Sequence, residues 1–323
     1  MSRHIVRSTF TVATVAALAL GASACNRGDS SPAPGGTSAA GDGAGKTITL
    51  AVSTLNNPFF VDLRDGAQEA ATAAGATLNV VDAQNDPATQ ANQVADAVTK
   101  SVGAIIINPV DSDAAGSAVA PANNAKIPVV AVDRVVNGAT VATTVSSDNV
   151  AGGKQAAEAL AKAVGEKGNI IVLQGVPGTS ASRDRGQGFA EGIKAFPNIK
   201  VVAQQPANFD RTQGLNVATN LLQSHPGAVG IFAENDEMAL GAVQALGAKA
   251  GADVKVFGFD GTADGLTAVT DGKMIGTIAQ QPKELGKVAI ENALKAIGGE
   301  TLADAVPVEV KTVTKENVNE FMP

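Results

Sequence analysis

The chain of 323 residues has no tryptophan, no tyrosine, one cysteine and two histidines. A single thiol excludes a disulfide framework and any multi-cysteine zinc site. Two histidines, His4 and His225, leave little material for imidazole-based catalysis or metal binding, and no metal or cofactor is expected. Charged residues are also sparse at 17%, with 24 Lys+Arg against 31 Asp+Glu and a net charge of −7. Nucleic-acid binding needs clustered cations on the phosphates, so an acidic chain is a poor candidate for it. What is abundant is apolar: 45% of residues are hydrophobic, which excludes disorder over most of the length. That length exceeds what one core usually organises, so two lobes are expected.

The N-terminus reads as an address. Arg3, His4 and Arg7 precede an apolar run from Phe10 to Leu20, then small residues and Cys25. This is the order of a secretory signal, and the run is too short to span a bilayer. Ala22-Ser23-Ala24-Cys25 resembles the lipobox of bacterial lipoproteins, in which the cysteine is acylated, although Ala22 stands where leucine is usual. Ordinary signal-peptidase cleavage at the same small residues is the alternative. The stretch 26–45, rich in Gly, Ser, Ala and Pro, reads as a flexible tether with a reach of roughly 25 Å. Within it AGDGAGKT (Ala40–Thr47) imitates a phosphate-binding loop. A phosphate loop needs a strand before its glycines and a helix after them, and here a tether precedes and the β-branched run TITLAV follows.

From Thr47 onward short apolar runs alternate with helical patterns. Strands are predicted at 47–53, 77–82, 104–108, 128–133, 169–174, 200–205, 228–234, 254–260 and 275–280. Runs this apolar suit parallel strands covered on both faces. Between them, spacings such as Ala157, Leu160, Ala161 and Val164 mark helices, Pro58 and Pro282 fit first helical turns, and Asp236 is expected to cap the helix that follows it. Repeated β-α units imply an α/β fold with open parallel sheets, and about nine strands suit two sheets better than one barrel.

Strand after strand ends in residues that hydrogen-bond well: Ser53 with Asn57, Asn108, Asp133-Arg134, Asn235-Asp236, Asp260 and Gln280. Ligands of open α/β sheets collect at the carboxyl ends of strands. Each residue alone has a structural reading as a helix cap, a turn or a surface pair. Together they mix acceptors, donors and amides, which suits a neutral polyol better than phosphate or metal. Phe59, Phe60, Phe209 and Phe259 fall at strand ends or loops beside these polar residues, where aromatic faces could cover the C–H faces of a sugar.

STLNNPFF (53–60), INPVDSDA (107–114), VDR (132–134), SSDNVAGGK (146–154), LQGVPGTSASRDRGQGF (173–189), QPANFDR (205–211), ENDEMALGA (234–242), GFDGTADG (258–265) and TIAQQP (277–282) resemble the type I sugar-binding family of bacterial ABC importers, in particular its ribose branch. The likeness runs in order from about Ile48 to Val313. It implies two Rossmann-like lobes joined by three hinge crossings near Ser147, Gln280 and Glu309. Segments 47–147 and 281–309 would form the N-terminal lobe, and 148–280 and 310–323 the C-terminal lobe, after a signal peptide at 1–24 and a lipidated tether at 25–46. It further implies that Asn57, Asn108, Asp133, Arg134, Arg185, Asn235, Asp260 and Gln280 hydrogen-bond the sugar. Phe59, Phe60 and Phe209 would sandwich its ring, with Phe259 alongside. The clearest local departure is Val176-Pro177 before Arg185, where a proline stiffens a segment facing the ligand.

The expectation is therefore a monomeric, envelope-tethered protein that captures a monosaccharide, D-ribose first, and passes it to the membrane permease of an ABC importer. A sensor presenting sugar to a membrane receptor is the alternative. An enzyme is the remote rival: Ser180 and Ser182 have no histidine nearby in sequence, and Asp133 and Asp260 are explained as acceptors without hydrolytic chemistry. A sugar-responsive repressor would need an N-terminal helix-turn-helix where this chain has a signal and tether.

Overall fold

Strands and helices alternate through most of residues 45–322, the part of the chain that the computed structural model describes. The expected signal peptide, Cys25 and most of the tether lie outside the described residues. The chain begins with β1 (Thr47–Val52), α1 (Pro58–Ala74), β2 (Thr77–Asp82), α2 (Pro87–Thr99), β3 (Ala104–Ile107), α3 (Ala115–Asn124), β4 (Val129–Val132) and β5 (Thr143–Ser147). A second series follows: α4 (Asn149–Ala163), β6 (Gly168–Gln174), α5 (Ser180–Gly192), β7 (Ile199–Pro206), α6 (Arg211–Ser224), β8 (Ala228–Ala233), α7 (Asp236–Leu246), β9 (Lys255–Asp260), α8 (Ala263–Thr270) and β10 (Gly276–Ala279). The last elements are α9 (Pro282–Ile297), β11 (Ala305–Val308) and β12 (Lys311–Thr314).

These strands form two six-stranded sheets, β11-β5-β4-β3-β1-β2 and β12-β10-β9-β8-β6-β7. Every strand pair is parallel except β10 with β12. The molecule is thus an α/β protein of two lobes. The chain passes from the first sheet to the second after β5, returns after β10, and leaves again between β11 and β12.

Helices cover both faces of each sheet, which is why β3 and β4 are buried at every position. On the first sheet, Leu63 and Ala67 of α1 pack with Leu285, Ala289 and Ile290 of α9, while Val94 of α2 and Val119 of α3 fill the other side. On the second sheet, Ala239 and Ala242 of α7 join Leu266 of α8, opposite Leu160 of α4 and Phe189 of α5.

Three strands were not anticipated from sequence: β5, β11 and β12. They read TTVSS, AVPV and KTVT, short and mostly polar or proline-interrupted, and the last two are edge strands that bury a single position each. The cap of α7 also differs from expectation. Asn235 caps it, its Oδ1 accepting from Met238 N–H at 3.0 Å. Asp236 is instead fully buried and holds the next loop, accepting from Thr262 N–H (2.8 Å), Thr262 Oγ1 (3.1 Å) and Thr277 Oγ1 (2.7 Å).

Candidate ligand-binding site

The carboxyl ends of both sheets meet at one small cavity. In the first lobe β1 leads to Asn57, whose Oδ1 caps α1 by accepting from Phe59 N–H at 2.9 Å. Pro58 occupies the first turn of α1. This turn presents Phe59 and Phe60 as an edge-to-face pair with centroids 5.2 Å apart. β4 ends in Asp133 and Arg134. Arg134 is fixed by a bond from Nη1 to the Pro109 carbonyl (2.7 Å), and its guanidinium lies 5.3 Å from the Phe60 ring.

The second lobe supplies the opposite wall. Arg185 of α5 donates through Nε to Asn149 Oδ1 (2.9 Å) and through Nη1 to the Glu234 carbonyl (2.6 Å), and its Nη1 lies 3.4 Å from Asp260 Oδ1. Its helix can sit this close to α4 because Gly153 has no side chain; a Cβ there would come within 2.3 Å of the Arg185 carbonyl oxygen. Gln280, just beyond β10, donates from Nε2 to Asp260 Oδ1 at 2.7 Å. Asn235 donates to the carbonyl of Phe209 at 3.3 Å. The Phe209 ring lies 5.7 Å from both Arg134 and Arg185.

The cavity is small and is lined by Asn57, Phe59, Phe60, Asp133, Arg134, Ala181, Arg185, Phe209, Asn235, Asp260 and Gln280. Two roomier surface grooves, beside α4 and β12 and between α1 and α9, are lined by charged residues that are all exposed. Of these three, the small cavity is the one lined by buried charged residues, Asp133, Arg134, Arg185 and Asp260.

Two of the residues expected to touch ligand stand one layer back. Asn108 is fully buried and does not line the cavity; it accepts from Ser53 N–H (3.0 Å) and donates to Asp133 Oδ2 (3.0 Å), so it aims Asp133. Phe259 is likewise fully buried, because the Arg185 guanidinium covers its ring at 3.9 Å. Sequence reasoning missed Asn149 and Ala181, the first hidden in the motif SSDNVAGGK and the second lacking a polar group. It also gave no role to Glu234. That carboxylate is buried behind the site, accepting from Gly175 N–H (2.7 Å) and Ser182 Oγ (2.5 Å).

The electrostatics are balanced: two buried aspartates against two buried arginines. Burial raises the Asp133 carboxyl despite Arg134 and Arg185 beside it, and raises Asp260 well above the ordinary range despite Arg185. Burial also pushes Arg134 down. Asp133 Oδ1, Gln280 Oε1 and Arg134 Nε are buried without hydrogen-bond partners. Such atoms usually find partners, and their presence on three residues that line one cavity suits a small neutral molecule with several hydroxyls.

Three site residues occupy backbone that side chains seldom adopt: Asp133 (φ 65°), Phe209 (φ 58°) and Asp260 (φ 125°). Non-glycine residues at positive φ cost energy that surrounding structure must hold in place, and they concentrate at binding sites.

Residues 48–301 match the family model described as periplasmic binding protein domain. The ribose import binding protein RbsB of Salmonella typhimurium is 50% identical over 270 residues, covering 84% of this chain and 91% of that protein. Its counterpart in Bacillus subtilis is 45% identical over 84% of this chain and 88% of that protein. Among solved structures, a periplasmic solute-binding protein of an ABC transporter from Actinobacillus succinogenes with bound D-allose superposes with a TM-score of 0.81 at 37% identity, covering 85% of this chain and 99% of the other. Two parallel-sheet lobes, a polar cavity at their strand ends and this extent of likeness agree, and the chain belongs to the periplasmic binding protein family.

Proposed function

We infer that this protein captures a monosaccharide, D-ribose first among candidates, and delivers it to the permease of an ABC importer. The observation that carries the reading is the cavity itself: buried aspartates, arginines and amides from both lobes, flanked by Phe59, Phe60 and Phe209. The carboxylates accept from sugar hydroxyls, the guanidinium groups donate, and the amides of Asn57, Asn235 and Gln280 do both. An unpaired buried hydroxyl costs about 1–3 kcal/mol, so this mixed set discriminates among sugars by their hydroxyl geometry. The phenylalanines cover the apolar faces. The ribose-binding relatives at 45–50% identity support ribose over other small polyols.

Function follows by hinge closure. The passages after Ser147, Gln280 and Glu309 act as the hinge between the lobes 47–147 with 281–309 and 148–280 with 310–323. Sugar stabilises the closed form because Asp133 and Arg134 of one lobe and Arg185, Asp260 and Gln280 of the other reach it together only there. The step is binding without chemistry. The protein works as a monomer, exported and held at the membrane by acylated Cys25.

Calorimetric titration of the mature protein with a monosaccharide panel tests the reading. Tight binding of ribose is expected. No heat with ribose alongside clear binding of a hexose overturns the ribose assignment, and no heat with any sugar overturns the function. Mass spectrometry of the N-terminus is expected to find lipid on Cys25; an unmodified cysteine refutes the anchor.

A further inference from the structure

The lobes also touch each other directly beside the cavity, where Val135 follows Arg134 and Ser180 precedes Ala181. Ser112 lies in the turn after β3 of the first lobe, and Ser180 opens α5 of the second. The Ser112 hydroxyl accepts from Ser180 N–H at 3.2 Å. Ser112 N–H in turn donates to the Gly178 carbonyl at 3.1 Å. The Ser180 hydroxyl accepts from Val135 N–H, back in the first lobe, at 3.0 Å. Ser112 is 0% and Ser180 3% exposed, and none of these residues lines the cavity.

The second-lobe side of this contact is built to hold its shape. Val176-Pro177-Gly178-Thr179 has the residues of a type II turn, with proline at the second position and Gly178 at φ 90° in the third. Thr179 N–H closes it onto the Val176 carbonyl at 3.2 Å, and Thr179 Oγ1 donates to the same oxygen at 2.8 Å. Behind it, Glu234 accepts from Gly175 N–H and Ser182 Oγ, which ties both flanks of the turn to the end of β8. Gly178 also sits where a Cβ would meet Asp111 Oδ2 at 2.1 Å, so the lobes approach closely here.

We propose that Ser112, Ser180 and the Pro177-Gly178 turn form a latch that fixes the closed form without touching the sugar, and so sets affinity separately from sugar choice. This rests on the sugar-capture reading above. In an open form water satisfies the N–H groups of Ser112, Val135 and Ser180; in the closed form only the partner lobe can. Removing a hydroxyl therefore weakens closure and leaves each lobe intact. Proline keeps the turn ready before closure, which lowers the ordering cost of binding.

The test compares Ser112→Ala, Ser180→Ala and the double variant with wild type, by calorimetry with ribose and 2-deoxyribose and by thermal unfolding without sugar. Each single variant is expected to bind roughly tenfold more weakly. The loss should be the same factor for both sugars, and the sugar-free Tm should not move. Pro177→Ala is expected to weaken both sugars by a smaller common factor, a few-fold. Wild-type affinity in the double variant overturns the latch. So does a loss that differs between the sugars, which would put the serines at the ligand, or a lower sugar-free Tm, which would give them a folding role. Failure of the underlying reading looks different: wild type itself then binds no monosaccharide.

Discussion

Replacing Glu234 by glutamine separates one buried carboxyl from all the others. Burial raises this carboxyl to about 7, from an ordinary value of 4.5, against the opposing bonds from Gly175 and Ser182. Its Oε1 has no hydrogen-bond partner, so ionisation places charge on an unsatisfied atom. Because the folded value lies above the unfolded one, the folded protein binds more protons between pH 4.5 and 7. Stability contributed by this group is complete below pH 4.5 and is lost as pH rises through 7. A shift of this size corresponds to about 3 kcal/mol. Glu234→Gln keeps an acceptor for Gly175 and Ser182 but cannot ionise. The buried aspartates Asp133, Asp236 and Asp260 titrate in both proteins, so their shared background cancels in the difference. Urea unfolding of sugar-free protein at pH 5, 6, 7 and 8 should show the variant gaining on wild type with each step and levelling off above pH 7. The gain from pH 5 to 8 should be about 2–3 kcal/mol. Parallel curves for the two proteins across that range would refute a neutral Glu234 in the fold.

Asp260→Ala removes the partner of Gln280 and Arg185, and is expected to cut sugar affinity at least ~100-fold with far-ultraviolet circular dichroism unchanged. Near-native binding in that variant would remove Asp260 from the site. Phe209→Ala strips the ring that lies beside both arginines and should weaken binding about tenfold or more, read by the same titration. Gly152→Ala would bring a Cβ within 2.7 Å of the fully buried Phe259 ring beneath Arg185. It should destabilise the protein by about 1–3 kcal/mol in urea and weaken sugar binding as well, because Arg185 loses its support. An unchanged midpoint would show that Phe259 can yield.

Much of this architecture is legible in sequence because parallel strands buried on both faces leave apolar runs such as AIII and VVAV. The same logic explains the misses: β11 with its proline and β12 with alternating polarity carry no such run. The polar residues at strand ends were visible as types, and most of them do line one cavity. Which of them face it was not visible. Asn108 and Phe259 sit behind Asp133 and Arg185, a matter of depth that spacing along a chain does not encode. Nor does composition reveal positive φ at Asp133, Phe209 and Asp260, since tertiary contacts impose it.

The order of strands has a consequence for how the chain is made. The first sheet is started by residues 47–147, yet its core is closed by Leu285, Ala289, Ile290 and Ala293 of α9 and its edge by β11. These arrive only after the whole second series has been synthesised. The lobe that leaves the ribosome first is therefore completed only near the end of synthesis, and it waits about 140 residues with one face of its sheet half covered. At ~5–20 residues per second that delay is on the order of ten seconds. A nascent chain in that condition exposes apolar surface of the kind that chaperones bind.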